Sequence, residues 1–407
     1  MTAPAPALSL RESLAERAEE RDWAGVEALG GVQVLPPPPG LPGPRTPLWR
    51  HALTSWGYLV TGVSELKNST CGFAQRDGRP HFFKYVGARN AIAELAGYLE
   101  FGAAGNRVPT LLSLLRTDAG TVMVYEYLPS MGLGRGTLFD LLCRAERAGT
   151  LLPEHEVGPL LDRIRANCAR RTVRSSSPID AFFARRVTER LIPWYVERRR
   201  PWLDQPVVVD SVPQPTTLRE CLEGTAAYFD GLGPRECVLS QGDFSETNVG
   251  RGAVFVDLSN AGHNDVRGEL ATAFWSLFLG GGYLFPKYHP AAYRWREAPF
   301  DGAAPRCATR LDPRTATLHI DLDHRLSPAR ADLLHRLLDV FTEAFGPELL
   351  DRRLAPYLVM RAVGVLDLDT LDPADRAVCT ALALRWWNER DDLGTVLRTL
   401  IDHGRPR

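Results

Sequence analysis

The sequence predicts an α+β chain in two lobes, a small antiparallel β-sheet lobe carrying one helix and a larger, mostly helical lobe after it. Three observations predict this. Between Trp56 and Leu128, short runs of apolar, β-branched and aromatic residues alternate with turn residues, as in paired strands. One stretch among them, residues 90–106, has its apolar residues at helical spacing instead. Beyond Pro129 nearly every segment repeats apolar residues at the helical period.

Taken in order, residues 9–29 carry charged and apolar residues at roughly helical spacing. "LPPPPGLPGP" (35–44) then forbids regular hydrogen bonding and reads as a stiff linker, so 1–45 is expected to be an N-terminal extension. The first lobe is expected over 46–128. "WGYLVTGVSEL", "CGFAQR" and "PHFFKYV" form a meander, with a tight turn at Asp77-Gly78. "NAIAELAGYLEFGAAGN" is a helix that ends on a glycine and asparagine stop, and "VPTLLSLLRT" and "TVMVYEYL" are two further strands. The second lobe, 129–407, is expected to be helical at 137–148, 180–199, 216–230, 266–279, 327–346 and 373–401. Its exceptions are the short strand "ECVLS" and a hairpin of "NVGR" with "AVFVD". No internal repeat is evident.

Composition narrows the function classes. A chain of 407 residues buries a sizeable core, and at about 150 residues per domain it allows two or three domains or lobes. A net charge of −1 gives no global attraction to nucleic acid or an anionic membrane, so neither is expected as a partner. Seven cysteines without a CxxC pair suit a reducing compartment and argue against a disulfide framework or a thiolate metal site. No apolar stretch approaches the ~20 residues of a membrane span, and the N-terminus lacks a signal-peptide pattern, so a cytoplasmic protein is expected. Of 48 basic residues only Lys67, Lys84 and Lys287 are lysine. A lysine here is a choice.

The stretch "VLSQGDFSETNVGRGAVFVDLSN" (238–260) concentrates the chemistry. A short apolar strand leads into Gln241-Gly242-Asp243, and the hairpin around residues 250–252 brings Asn248 and Asp257 back toward Asp243. Two hard oxygen ligands and one free carboxylate converging in a cleft suit phosphoryl transfer, which asks for positioning, a divalent cation and nearby positive charge. The plainer alternative is that Asp243 and Asn248 cap a helix or turn.

With "QGDFSETN" and "VDLS" in place, the chain resembles the aminoglycoside phosphotransferase and choline kinase-like family, within the protein-kinase-like fold. That family has His-Gly-Asp, four residues and Asn, then a strand ending in Ile-Asp-Trp; the Asp243-to-Asn248 spacing matches, and Gln241 replaces the histidine. The resemblance covers about residues 56–285. It implies an ATP-dependent kinase in which Asp243 is the catalytic base and Asn248 and Asp257 hold Mg²⁺ on the ATP phosphates. It implies that Lys84 reaches the phosphates while paired to a helix glutamate, Glu94, with Glu100 as the fallback, and that Asp265 steadies the catalytic loop. Asn68, Ser69 and Thr70 occupy the loop that would cover the phosphates, and the backbone at Glu126 and Leu128 would bind adenine. The acceptor implied is a hydroxyl on a small molecule: an antibiotic, an amino alcohol, a sugar or a nucleoside. A non-catalytic nucleotide-binding pseudokinase, acting as a scaffold or regulator, is the rival reading, carried by Gln241 and the atypical phosphate loop.

The remaining features read as structural. "GLGRG" (132–136) follows no strand-to-helix turn and reads as a connector. "GGG" (280–282) reads as a helix stop, "HIDLDH" (319–324) as a solvated strand, and the basic runs 170–178 and 197–202 as solvated faces.

Overall fold

The computed structural model describes residues 9–40, 42, 46–66, 69–127 and 136–402. Leu128, Lys67, Asn68 and all but the last residue of the 132–136 run lie outside these described residues. The chain begins with helices α1 (Leu10–Glu19) and α2 (Trp23–Gly30), strand β1 (Gln33–Leu35) and helix α3 (Leu48–Ser55). Strands β2 (Leu59–Leu66), β3 (Ser69–Arg76) and β4 (Arg79–Val86) follow as the meander, then α4 (Ala88–Ala103), β5 (Leu111–Arg116) and β6 (Thr121–Glu126). The β3–β4 turn has positive φ at both Asp77 (52°) and Gly78 (73°), the conformation a two-residue hairpin favours because it matches the twist of its strands.

The sheet has six strands in the order β1-β5-β6-β4-β3-β2, antiparallel except that β1 lies parallel to β5. Because side chains alternate along a strand, the sheet has two distinct faces. Phe83 points to one, into a cluster with Trp49 and Leu53 of α3, Leu115, Val122 and Val124. Lys84 and Phe82 share the other face with Cys71 and Phe73 of β3, Gly62 and Ser64 of β2, and Met123 and Tyr125 of β6, through directly opposed register pairs. Helix α4 packs on that second face through Ile92, Leu95, Tyr98 and Phe101.

Residues 10–35 differ from the expected extension. Leu14 and Val26 are fully buried, and Arg11 donates to the carbonyls of Ser259 (3.0 Å) and Ala261 (2.6 Å). The prolines after Leu35 do end regular pairing, but three residues ahead of them suffice for an edge strand, where one side needs no partner.

The rest of the chain is mainly helical: α5 (Leu138–Ala148), α6 (Glu154–Cys168), β7 (Thr172–Arg174) and α7 (Pro178–Arg186), which runs on as a π-helix over Val187–Val196. Then come β8 (Val207–Val209), β9 (Val212–Pro213), α8 (Leu218–Asp230), β10 (Arg235–Ser240), the hairpin β11 (Val249–Gly250) and β12 (Val254–Phe255), and β13 (Gly262–Asp265). Helix α9 (Val266–Trp275) continues as a second π-helix over Ser276–Leu284, followed by the short helices α10 (Phe285–Tyr288) and α11 (Pro290–Tyr293). The chain closes with β14 (Arg306–Asp312), β15 (Thr317–Asp323), α12 (Pro328–Phe345), α13 (Ala355–Val363), α14 (Pro373–Asn388) and α15 (Leu393–Asp402). Among the described residues no helix is long and apolar enough to cross a membrane.

Two expectations are corrected here. The glycines 280–282 do not stop a helix; they lie inside the second π-helix. A Cβ on Gly281 would sit 2.4 Å from Glu246 Oε1, and one on Gly282 2.8 Å from Arg330 Cζ, so the absence of side chains admits a buried ion pair against the helix backbone. The helical body also holds more strand than expected, a four-stranded sheet in the order β14-β15-β8-β9, in which "HIDLDH" belongs almost wholly to β15.

Candidate active site

Strand β10, held between β13 and β7, delivers the chain to Gln241-Gly242-Asp243. Gly242 is required: its φ is 79° and a Cβ would stand 2.0 Å from the Asn260 carbonyl oxygen. The Gln241 side chain donates to the carbonyls of Val256 (2.9 Å) and Asp257 (2.8 Å) and accepts from the Asp243 amide (2.9 Å). From below, Glu269 of α9 accepts from the Gly242 amide and the Ser240 hydroxyl, both at 3.0 Å. Burial pushes the Glu269 carboxyl up to about 7.

Past Asp243, the loop is pinned by Glu246. Its carboxylate receives two bonds from Arg330 of α12 (2.6 and 3.0 Å), which also donates to Glu146 of α5 (2.6 Å), and all three side chains are buried. Two residues later Asn248 Nδ2 donates to the Asp243 carbonyl (3.1 Å), and the Asn248 carbonyl accepts from the Val256 amide (3.0 Å), which closes the hairpin.

Asp257 follows β12 in the left-handed region, with φ 56°. That conformation costs a non-glycine residue roughly 1–3 kcal/mol and persists only when the surroundings enforce it. Here the enforcing contact is Lys84: its ammonium lies 2.7 Å from Asp257 Oδ1 and 2.7 Å from Glu94 Oε2. The Tyr125 hydroxyl donates to the other Glu94 oxygen (2.8 Å). Burial alone would lower the Lys84 pKa, yet Asp257 and Glu94 hold it above its ordinary value, so the ammonium stays charged. Burial pushes the Glu94 carboxyl up, and the ammonium opposes that shift.

Of the residues singled out from sequence, the structure brings Lys84, Glu94 and Asp257 into direct contact, and Asn248 onto the Asp243 backbone. Lys84 takes Glu94 and not Glu100. Ser69 opens β3 opposite Leu66. Glu126 ends β6 opposite His81, and its side chain accepts from the Thr110 amide and hydroxyl, both at 2.8 Å. Asp265 is corrected: it caps α9 by accepting from the Arg267 amide (2.8 Å) and takes the Tyr357 hydroxyl (3.1 Å). The loop rests instead on Glu269, one helical turn further along.

Sequence reasoning missed two more features. Arg361 of α13, 3% exposed, places Nη1 3.2 Å from Asp243 Oδ1. And a strap, residues 289–298, crosses the Lys84 face of the sheet. The Ser64 hydroxyl donates to the Ala291 carbonyl (2.7 Å), Arg294 donates to the Val63 carbonyl (2.8 Å), and Trp295 packs edge-on against Phe73 with centroids 5.1 Å apart. On the far side Glu297 is tied to Asp140, Arg144 and Arg147. A cavity of about 820 Å³ lies between α3, β2 and the strap, and is lined by none of the clustered residues.

The chain is similar to three solved structures, among others. The apo thermostable mutant of aminoglycoside phosphotransferase APH(4)-Ia matches at TM-score 0.47 and 12% identity, over 84% of this chain and 94% of its own. The type VIII aminoglycoside-3'-phosphotransferase matches at 0.41 and 13%, over 74% and 92%. Spectinomycin phosphotransferase APH(9)-Ia, in complex with ADP and spectinomycin, matches at 0.36 and 11%, over 85% and 92%. The chain resembles the aminoglycoside phosphotransferases. No protein-family model and no curated sequence matches it. At this identity and these TM-scores the resemblance carries no weight for activity, which has to be argued from the side chains themselves.

Proposed function

We propose that this protein is a phosphotransferase that uses ATP and Mg²⁺ to phosphorylate a hydroxyl of a small molecule, with the nucleotide between a sheet lobe (46–128) and a helical lobe (129–407). The observation that carries this reading is the Lys84 ammonium, held charged between Glu94 and Asp257 from two other segments of the chain. The neighbouring loop presents Asp243 and Asn248.

The donor set fits Mg²⁺. Asn248 commits its nitrogen to the Asp243 carbonyl, which leaves its oxygen available, and Asp257 is 42% exposed with Oδ1 on Lys84 and Oδ2 available. Both are hard oxygen donors of the kind that ion prefers. When bound, the ion neutralises charge on the phosphates. Asp243 orients the acceptor hydroxyl and takes its proton as the acceptor oxygen bonds to the γ-phosphorus and the bond to the ADP oxygen breaks. Lys84 binds phosphate oxygens, Glu94 keeps it pointed there, Ser69 lies over the phosphates, and the backbone at Glu126 contacts the adenine. The purine then lies along Phe82 and Phe73, so binding displaces Trp295 of the strap.

The same strap favours the second reading, a non-catalytic scaffold, because Trp295 stands on the face the purine needs. ATP consumption with Mg²⁺ and a panel of hydroxylated metabolites separates the two. Asp243→Asn is expected to lower turnover at least a hundredfold while AMP-PNP binding persists, a loss typical of a missing general base. Asp257→Ala is expected to weaken Mg²⁺-dependent nucleotide binding. Nucleotide binding with no turnover, and no effect of Asp243→Asn, would leave the scaffold.

A further inference from the structure

Behind Asp243 the positive charge exceeds what the protein itself neutralises. Arg361 gives one nitrogen to Asp243, while its buried Nε has no partner among the described residues. Arg186, the last residue of α7, stacks its guanidinium 4.0 Å over the Phe182 ring. Its Nη1 is also buried without a partner, and the charges acting on it are Arg190, Arg361, Asp243 and Arg185. Arg190, one turn along the π-helix, donates to the carbonyls of Gly364 (3.0 Å) and Val365 (3.2 Å), in the turn after α13. Of these three guanidinium groups only Arg361 reaches the Asp243 carboxylate directly, and Arg190 is taken up by backbone carbonyls.

Of the other carboxylates, Glu189 lies beside Arg190 and acts on it, and two more are already committed. Glu269 receives the Gly242 amide and the Ser240 hydroxyl, and Asp180 receives Ser177, Tyr357 and, at 3.3 Å, Arg235. A buried guanidinium nitrogen without a partner is unfavourable, and the fold keeps one on Arg361, beside Asp243, and one on Arg186. Burial pushes both Arg186 and Arg361 below their ordinary value, the direction expected of unneutralised charge.

We propose that the acceptor carries an anionic group, a phosphate or a carboxylate, on the same small molecule as its hydroxyl, and that Arg186 and Arg361 bind that group. The inference rests on the phosphotransferase reading and narrows it. A guanidinium fork matches the paired oxygens of either anion. A polycationic acceptor such as an aminoglycoside would meet like charge beside these arginines. The π-helical turn after Arg186 fits the same reading, since such turns cluster at functional sites.

The test is isothermal titration of protein loaded with Mg²⁺ and AMP-PNP, using glycerol 3-phosphate, glycerate, glycerol and choline as probes. At least one of the two anions is expected to bind tenfold or more tighter than glycerol or choline, and which one does so separates phosphate from carboxylate. Arg186→Gln is expected to weaken that binding at least tenfold, Arg186→Lys to restore part of it, and Arg170→Gln, at an exposed arginine outside this cluster, to leave it unchanged. Equal or tighter binding of choline or glycerol, no binding of either anion, or indifference to both Arg186 variants overturns the proposal. AMP-PNP binding is scored in the same samples. Its absence counts against the phosphotransferase reading alone, and the anion titration repeated without nucleotide still decides the arginine pocket.

Discussion

Arg330→Met isolates the element that fixes the loop between Asp243 and Asn248. The wild-type guanidinium makes three bonds to carboxylates, at 2.6, 2.6 and 3.0 Å, and one to the Leu277 carbonyl at 3.2 Å, with Arg330 2%, Glu146 6% and Glu246 0% exposed. One Glu146 oxygen has no partner even with the arginine in place. Removing the cation leaves two buried carboxylates facing each other. Breaking such a network by one member costs about 3–5 kcal/mol, because the remaining charges stay desolvated. Part of that loss is recoverable by protonation. Burial already holds the Glu246 carboxyl above its ordinary 4.5, and loss of Arg330 raises it further. A carboxyl whose folded pKa exceeds its unfolded value binds more protons folded than unfolded, so stability falls as pH rises from that unfolded value through the folded pKa. Urea unfolding followed by circular dichroism is therefore expected to show the full loss at pH 8 and a clearly smaller one at pH 5. The triple variant Glu146→Gln, Glu246→Gln, Arg330→Met is expected to regain most of it. A loss under about 1 kcal/mol at pH 8, or the same loss at both pH values, would refute the claim that this triad holds the loop.

Glu269→Gln is expected to remove part of the wild-type pH dependence. The folded carboxyl near 7 makes the wild type lose on the order of 2–3 kcal/mol as pH climbs from 5 to 8, so parallel wild-type and variant unfolding curves across that range would contradict the assignment. Trp295→Ala is expected to tighten AMP-PNP binding two- to tenfold, from an aromatic pair contribution of about 0.5–1.5 kcal/mol that the nucleotide no longer has to displace. Weaker binding, measured by titration calorimetry, would instead make Trp295 a wall of the purine site.

What the sequence revealed is local, and what it hid is remote. The Asp77-Gly78 turn and the alternation that puts Lys84 and Phe83 on opposite faces both act within a few residues, so their patterns are visible in the string. Asp243, Asn248 and Asp257 are likewise joined by one short hairpin. Arg361 is not: it reaches Asp243 across 118 positions from α13, "APYLVMRAV", which is buried at every position. The helix expected over 373–401 breaks after Asn388 into α14 and α15, and α14 is buried over most of its circumference. The strands β8 and β9 are three and two residues long and are specified by pairing, β8 with β15 and β9 with β8, rather than by their own composition. The strap was hidden for a related reason: Trp295 and Arg294 acquire meaning only when Phe73 and Val63, more than 200 positions earlier, are brought beneath them.

Gln241 bears on the choice between enzyme and scaffold. At a position where a neutral imidazole offers one donor and one acceptor, the amide offers two donors and an acceptor. Here one side chain donates to the carbonyls of Val256 and Asp257 and accepts from the Asp243 amide. It therefore ties the backbone that carries the proposed base directly to the backbone that carries the proposed metal ligand. The left-handed φ at Asp257 is held from one side by this bond and from the other by the Lys84 ammonium. Decay of a catalytic loop would relax that strain first, since its roughly 1–3 kcal/mol serves no purpose in a fold that has no use for the carboxylate's direction. A loop that keeps the strained aspartate, braces it twice and adds Glu246, Glu269 and Arg361 around it supports the proposed phosphotransferase over the scaffold, and the glutamine is one of the groups that holds it.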